Sequence, residues 1–209
     1  SVISSANSYY GDGSGNQAAT LKAAIDAAQQ VYDNASATPD EVFAQKDILT
    51  EAIAQYRKVN VSPENPLEVS YITNPSFEDG TNGWITSNVK TQTNSEFTKK
   101  AGYVYVEKWV EKPGAAGDAS VSQTVSLPNA KYRLTVAAQN LSQASPATNN
   151  TGMYVFAGNQ QTPIYTPGDY TVEFTVITGS VNLGVNAEGA TGNWLALDNF
   201  RLYQIGYVD

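Results

Sequence analysis

The sequence contains no cysteine, no histidine and a single methionine among its 209 residues. Without thiol or imidazole there is no Ser-His-Asp or Cys-His nucleophile, no thiolate or imidazole metal site and no disulfide framework. Positive charge is scarce too: 12 Lys+Arg stand against 20 Asp+Glu, for a net charge of −8, and the basic residues are scattered singly or in pairs. Nucleic acid and anionic membrane surfaces both need clustered Lys/Arg, so neither is expected as a partner. No apolar run approaches the ~20 residues that span a bilayer, so no membrane insertion is expected. The opening SVISSANSYY has neither a basic n-region nor an apolar h-region, which reads as a processed chain or a piece of a longer one.

What is present is a globular composition, with 41% hydrophobic and only 15% charged residues, enough to bury a core. Tyr (13), Thr, Asn, Gly and Ser are abundant, a profile suited to exposed β surfaces and polar recognition.

The hydrophobic period changes along the chain. NQAATLKAAIDAAQQVYDNA places Leu21, Ile25, Ala28 and Tyr32 on one helical face. ATPDEVFAQKDILTEAIAQYRKV opens with Thr38, Pro39 and Glu41 as N-cap, N1 and N3, and repeats Val42, Leu49, Ile53 and Tyr56 along one side. With a shorter helix over 2–10, this predicts a small antiparallel bundle over 1–62. Two prolines in NVSPENPL end it, so 63–70 is expected as linker. From 71 to 206 the period is two: SVSQTVSL, KYRLTVAAQN, YTVEFTV and SVNLGVNA alternate apolar and polar residues between turn signals. Short strands at this spacing with no helices between them predict an antiparallel β-sandwich.

The sandwich half opens with ITNPSFEDGTNGW (72–84) and closes with GNWLALDNFRLYQIG (192–206). The pattern Asn-x-x-Phe-Glu-x-Gly…Gly-Trp at one end and Asp-Asn-Phe-x-Leu at the other resembles the jelly-roll, galactose-binding-domain-like carbohydrate-binding modules of bacterial polysaccharide-degrading proteins, over about 69–206. The helical half is similar, more loosely, to FIVAR-type modules. The resemblance implies a structural Ca2+ near the first and last strands, at Glu78 and Asp198, with Asn74 and Ser76 as carbonyl or side-chain contributors. Calcium takes six to eight oxygens, and carboxylates from chain-distant strands would pin a sandwich shut. The alternative is that Glu78 and Asp198 accept backbone amides at turns.

GYVYVEKWVEK (102–112) raises the functional question. As a strand it sends Val104, Val106 and Val110 to one side and Tyr103, Tyr105, Glu107 and Trp109 to the other. Sugars present flat C–H faces ringed by hydroxyls, so a binding surface needs aromatic plates and a polar rim. Trp109, Glu107, Tyr105, Tyr103 and Trp194 are therefore candidate ligand contacts, with Arg133 and Gln139 from neighbouring strands. The alternative is that the tyrosines pair and lie under a loop, and that Trp194 covers the calcium site. Trp84 is assigned to the core.

The expected function is non-catalytic binding of a polysaccharide or oligosaccharide, outside the cell or at its surface or in the periplasm, with a catalytic domain as partner in a longer parent chain. A structural or adhesive domain of a surface protein is the second reading. A glycosidase is the third, weakened because no Asp/Glu pair sits in a recognisable catalytic motif.

Overall fold

A computed structural model describes residues 1–208. The chain divides into two compact units, Ser1–Leu67 and a second beginning at Glu68.

The first unit contains α1 (Val2–Tyr10), α2 (Ala18–Asp33) and α3 (Pro39–Val59). They share a small core of Ala6, Ala18, Leu21, Ile25, Ala28, Leu49 and Tyr56. α3 begins as its sequence predicts. Thr38 Oγ1 accepts the Glu41 amide while Glu41 Oε2 accepts the Thr38 amide, closing a capping box with Pro39 behind it. Thr38→Ala should cost about 1 kcal/mol, read as a lower-temperature loss of helical circular dichroism with the sandwich transition unmoved. Two expected core positions are corrected. Tyr32 is 75% exposed and Val42 47% exposed; with Val2 and Ile3 of α1 they line an open apolar hollow and not a filled core.

The second unit is a sandwich of eleven strands: β1 (Leu67–Val69), β2 (Ile85–Ser87), β3 (Lys90–Gln92), β4 (Tyr105–Trp109), β5 (Gly117–Ser126), β6 (Ala130–Leu141), β7 (Met153–Ala157), β8 (Gln160–Pro163), β9 (Gly168–Val176), β10 (Ser180–Ala190) and β11 (Trp194–Gly206). β1 lies in the stretch expected as linker; it pairs with β11. One sheet runs β3-β4-β11-β6-β9 with β1 attached to β11; the other runs β2-β5-β10-β7-β8. The crossing order is consistent with a jelly roll. Between the sheets lie Val121, Val125, Leu134, Val136, Val155, Leu183, Val185 and Leu202, the inward phase of the alternation. Trp84 is in this core, its ring 5.3 Å from Phe77 and 4.6 Å from Phe200.

Candidate functional site

Antiparallel register sets which side chains share a face. On the outer face of the six-stranded sheet, β11 places Trp194 opposite both Trp109 and Leu141, and Ala196 opposite both Glu107 and Gln139. The structure thus brings Tyr105, Glu107, Trp109, Trp194 and Gln139 onto one surface. It also seals most of it. Tyr105, Glu107, Gln139 and Trp194 are all buried, and Phe97, from the segment joining β3 to β4, packs on Tyr105, Ala137, Trp194 and Ala196. These four residues, expected to touch ligand, do not reach solvent, because a loop covers them.

Their polar groups face each other. Glu107 accepts from Trp194 Nε1 (2.8 Å), Gln92 Nε2 (3.1 Å) and the Tyr105 hydroxyl (3.3 Å), and Lys90 Nζ stands 3.4 Å away. Burial, with Glu107 beside it, pushes the Tyr105 hydroxyl far above the usual phenol range. Trp109 and Tyr103 stay exposed, and Trp109 Nε1 donates to Gln143 Oε1 at 2.8 Å. Arg133 is not part of this group. It lies six residues along β6 from Gln139, roughly 20 Å at strand rise, and forms a 2.7 Å ion pair with Glu173.

Where the opening and closing motifs meet, Asp198 is completely buried. It accepts the amides of Ala101 and Asn199, both at 2.7 Å. Glu78 Oε1 accepts those of Tyr103 (2.8 Å) and Val104 (3.0 Å). Both carboxylates do bond turn amides, as the alternative reading held. Yet burial pushes Asp198 up to about 7, with the Glu78 charge adding to the rise and the two amides opposing it. Among the described residues no Lys or Arg forms an ion pair with either group. Asn74, expected as a further contributor, folds the opening turn. Its Nδ2 donates to the Gly80 and Asn82 carbonyls, its Oδ1 accepts the Asp79 amide, and its carbonyl accepts Trp84 Nε1 and the Phe77 amide. All its oxygens are engaged in folding the opening turn.

The open surface lies elsewhere. On the outer face of the five-stranded sheet, register aligns Ser87, Ser120, Asn186 and Tyr154 in one row, and Ile85, Ser122, Gly184, Phe156 and Gln161 in the next. A hollow of about 280 Å³ lies over this face, lined by Ser120, Ser122, Tyr154, Phe156, Gln161 and Asn186. The volume is near the low end of small-molecule sites, which run from roughly 300 Å³. Tyr154 and Phe156 are half-buried, their rings 6.5 Å apart and edge to face. Asn186 Nδ2 donates to the Tyr154 hydroxyl (2.7 Å) and to Glu188 Oε1 (2.9 Å), and the hydroxyl donates to the same oxygen (3.0 Å). This fixes one aromatic plate and presents amide, carboxylate and hydroxyl groups beside it. A larger hollow of about 340 Å³ beyond the β7–β8 turn, at Lys131, Glu173 and Phe174, has its aromatic ring buried.

Sequence reasoning missed this face. The signal was present in GMYVFAGN, where Tyr154 and Phe156 occupy the outward phase against Met153, Val155 and Ala157.

No family model and no curated protein matches the chain. Among solved structures it is similar to the carbohydrate-binding module TmCBM61, solved in complex with beta-1,4-galactotriose, with 22% identity, a TM-score of 0.50, and 65% of this chain and 99% of that one covered. It is equally similar to the Stig cyclase Fisc from Fischerella sp. TAU, solved with (3Z)-3-(1-methyl-2-pyrrolidinylidene)-3H-indole, with 18% identity, a TM-score of 0.50, and 68% and 100% covered. A family 16 carbohydrate-binding module is 20% identical, with a TM-score of 0.44 over 64% and 99%. The first two likenesses show a β-sandwich fold shared with a carbohydrate-binding module and with a cyclase.

Proposed function

We propose that the chain is a non-catalytic saccharide-binding module of a secreted or surface bacterial protein, and that it binds through the outer face of the five-stranded sheet. Because the same fold also hosts cyclases, the fold does not decide the matter. The observation that carries the reading is the hollow lined by the Tyr154 and Phe156 rings, with Asn186, Ser120, Ser122 and Gln161 as its polar rim and Glu188 bonded to Asn186 and Tyr154 beside it. A pyranose needs both kinds of group at this separation. Covering ~100 Å² of ring face is worth roughly 2.5 kcal/mol gross. Association costs reduce this, so about micromolar to millimolar affinity is expected, sufficient for tethering.

The test is affinity electrophoresis and calorimetry against soluble polysaccharides, with β-1,4-galactan first because TmCBM61 was solved with galactotriose. One of the panel should bind, Tyr154→Ala should weaken it at least ~10-fold with an unchanged melting curve, and none should be hydrolysed. Equal affinity in the variant, or no binding to any polysaccharide, overturns the proposal.

Calcium belongs to the same reading. Glu78 and Asp198 would hold it, with Ser76, backbone carbonyls and water completing the oxygen set. The fit rests on a completely buried Asp198 carboxyl that feels the charge of Glu78, with Lys100 the nearby cation acting on it and no ion pair formed among the described residues. Among those residues no three carboxylates converge, so backbone and water oxygens would carry most of the coordination. The ion would act on stability, by mass action on the folded state.

The helical unit is read as a spacer or accessory module, set between the sandwich and a catalytic domain in a longer parent chain. One observation favours an adhesive role for it instead: Tyr32, Val42, Phe43 and Ile48 are all exposed.

A further inference from the structure

The sealed face of the six-stranded sheet has the composition of a sugar site. Its floor is two alanines, Ala137 and Ala196; its aromatic residues are Tyr105 and Trp194; Glu107 and Gln139 stand on either side of Ala196 in register. In the middle of this cradle sits a six-membered ring, the phenyl group of Phe97, 2% exposed and 5.3 Å from the Tyr105 ring. Phe97 comes from TNSEFTKK, a strap of otherwise exposed or half-exposed residues between β3 and β4. One polar group in the cradle is unsatisfied: Gln139 Nε2 has no hydrogen-bond partner although Gln139 is 1% exposed. An aliphatic side chain of similar size would fill the same space at no such cost. A buried, unpartnered amide facing a carboxylate across Ala196 is what remains when the cradle holds a hydrocarbon ring in place of one that carries hydroxyls.

The strap is built to move as a piece. Lys100 Nζ donates to the carbonyls of Thr93, Asn94 and Tyr103, the Lys100 amide donates to the Phe97 carbonyl, and the Glu96 amide donates to Asn94 Oδ1. These bonds join strap to strap or to its own end. Beyond Phe97 itself, its polar links to the sheet are the Thr93 and Asn94 amides donating to Gln92 Oε1 at the end of β3 (2.8 and 3.3 Å), the Tyr105 hydroxyl donating to Asn94 Oδ1 at 2.8 Å, Lys100 Nζ standing 5.9 Å from the Tyr105 ring centre, and a 4.0 Å ion pair between Lys99 and Asp169.

We propose that Phe97 is a removable plug in a second saccharide site, and that a hexopyranose ring takes its place with its C–H face on Tyr105 and Trp194 and its hydroxyls on Glu107 and Gln139. The site is independent of the hollow on the five-stranded sheet. Its apparent affinity is reduced by the fraction of molecules in which the plug is out.

The experiment uses the full chain carrying Tyr154→Ala, which silences the other face. Calorimetry and tryptophan fluorescence are recorded with galactotriose, cellotriose and mannotriose. Adding Phe97→Ala should tighten binding of at least one of them ~10-fold or more, and adding Gln139→Leu should abolish the gain. No gain for any trisaccharide, or a gain that survives Gln139→Leu, overturns the proposal. Should Phe97→Ala fail to fold, amide exchange on the unaltered protein decides. The Phe97 and Lys100 amides should exchange faster than those of Val106 and Leu195, and faster still with trisaccharide present. Exchange equal to that of the strands and indifferent to trisaccharide refutes the plug.

Discussion

Replacing Gly184 with alanine should lower the melting temperature of the sandwich by roughly 8 °C, corresponding to about 3 kcal/mol. Part of the effect comes from a φ of +158°, which residues with a Cβ rarely adopt. The larger part comes from proximity. A Cβ on residue 184 would lie 2.0 Å from the Val121 carbonyl oxygen and 2.8 Å from the Ser122 Cα, and backbone cannot swing aside as a side chain does. β5 and β10 would have to separate at the centre of the five-stranded sheet. Gly158→Ala is the control: the new methyl would meet only Val181, at 3.7 Å, and the cost is confined to a φ of +60°, about 1 kcal/mol. Denaturant titration of both variants checks this, and similar midpoints would mean that the two strands are not so close. The same substitution should weaken saccharide binding, because Ser122 and Phe156 flank residue 184 in register.

Calcium should reverse the dependence of stability on pH that Asp198 creates. Its folded pKa of about 7 lies above the unfolded value near 3.9. Below about pH 4 both states hold the proton and the group contributes nothing. Between about pH 4 and 7 the folded state holds a proton that the unfolded state releases, so stability falls as pH rises, and the full penalty is present above 7. Metal-free protein should therefore melt ~5 °C lower at about pH 8 than at about pH 5, beyond the slope set by other groups. Millimolar calcium should restore the loss at the higher pH and do nothing at the lower, because the ion needs the ionised carboxylate. Chelator should undo the effect. Asp198→Asn fixes the baseline, since it should lack both the slope and the calcium response. A slope present in the wild type and indifferent to calcium would remove the metal from the account.

The parts legible in sequence were those written in a period. Val121, Val125, Leu134, Val136, Leu183 and Val185 alternate with polar residues, and each lies between the sheets. Thr38, Pro39 and Glu41 specify a helix start by local chemistry alone, and the capping box forms. Trp84 could be placed in the core because it closes a turn motif before a strand. The aromatic row was legible as a face, but its covering was not. Phe97 sits in the aperiodic polar run TNSEFTKK, and nothing local says that its ring returns onto Ala137 and Ala196, residues 40 and 99 positions away. Tyr154, Ser120 and Asn186 come together only through strand register, which is set by the whole sheet. Arg133 was assigned to the right sheet and the wrong end for the same reason. Tyr32 and Val42 fit the helical period, but periodicity does not reveal that the hollow they line with Val2 and Ile3 of α1 stays open.

β1 and β11 have a mechanical consequence. The segment that enters the sandwich is hydrogen-bonded beside the one that leaves it, and Glu68 and Arg201 clasp side by side through two bonds of 2.8 and 2.9 Å. Tension drawn through the polypeptide from both ends would load this three-residue ribbon and its solvent-exposed clasp first, a pairing of little strength. It can peel while the Phe200 amide still holds the Pro75 carbonyl and the sheets stay shut. A module tethered under flow would lengthen a little before its gripping surface was disturbed.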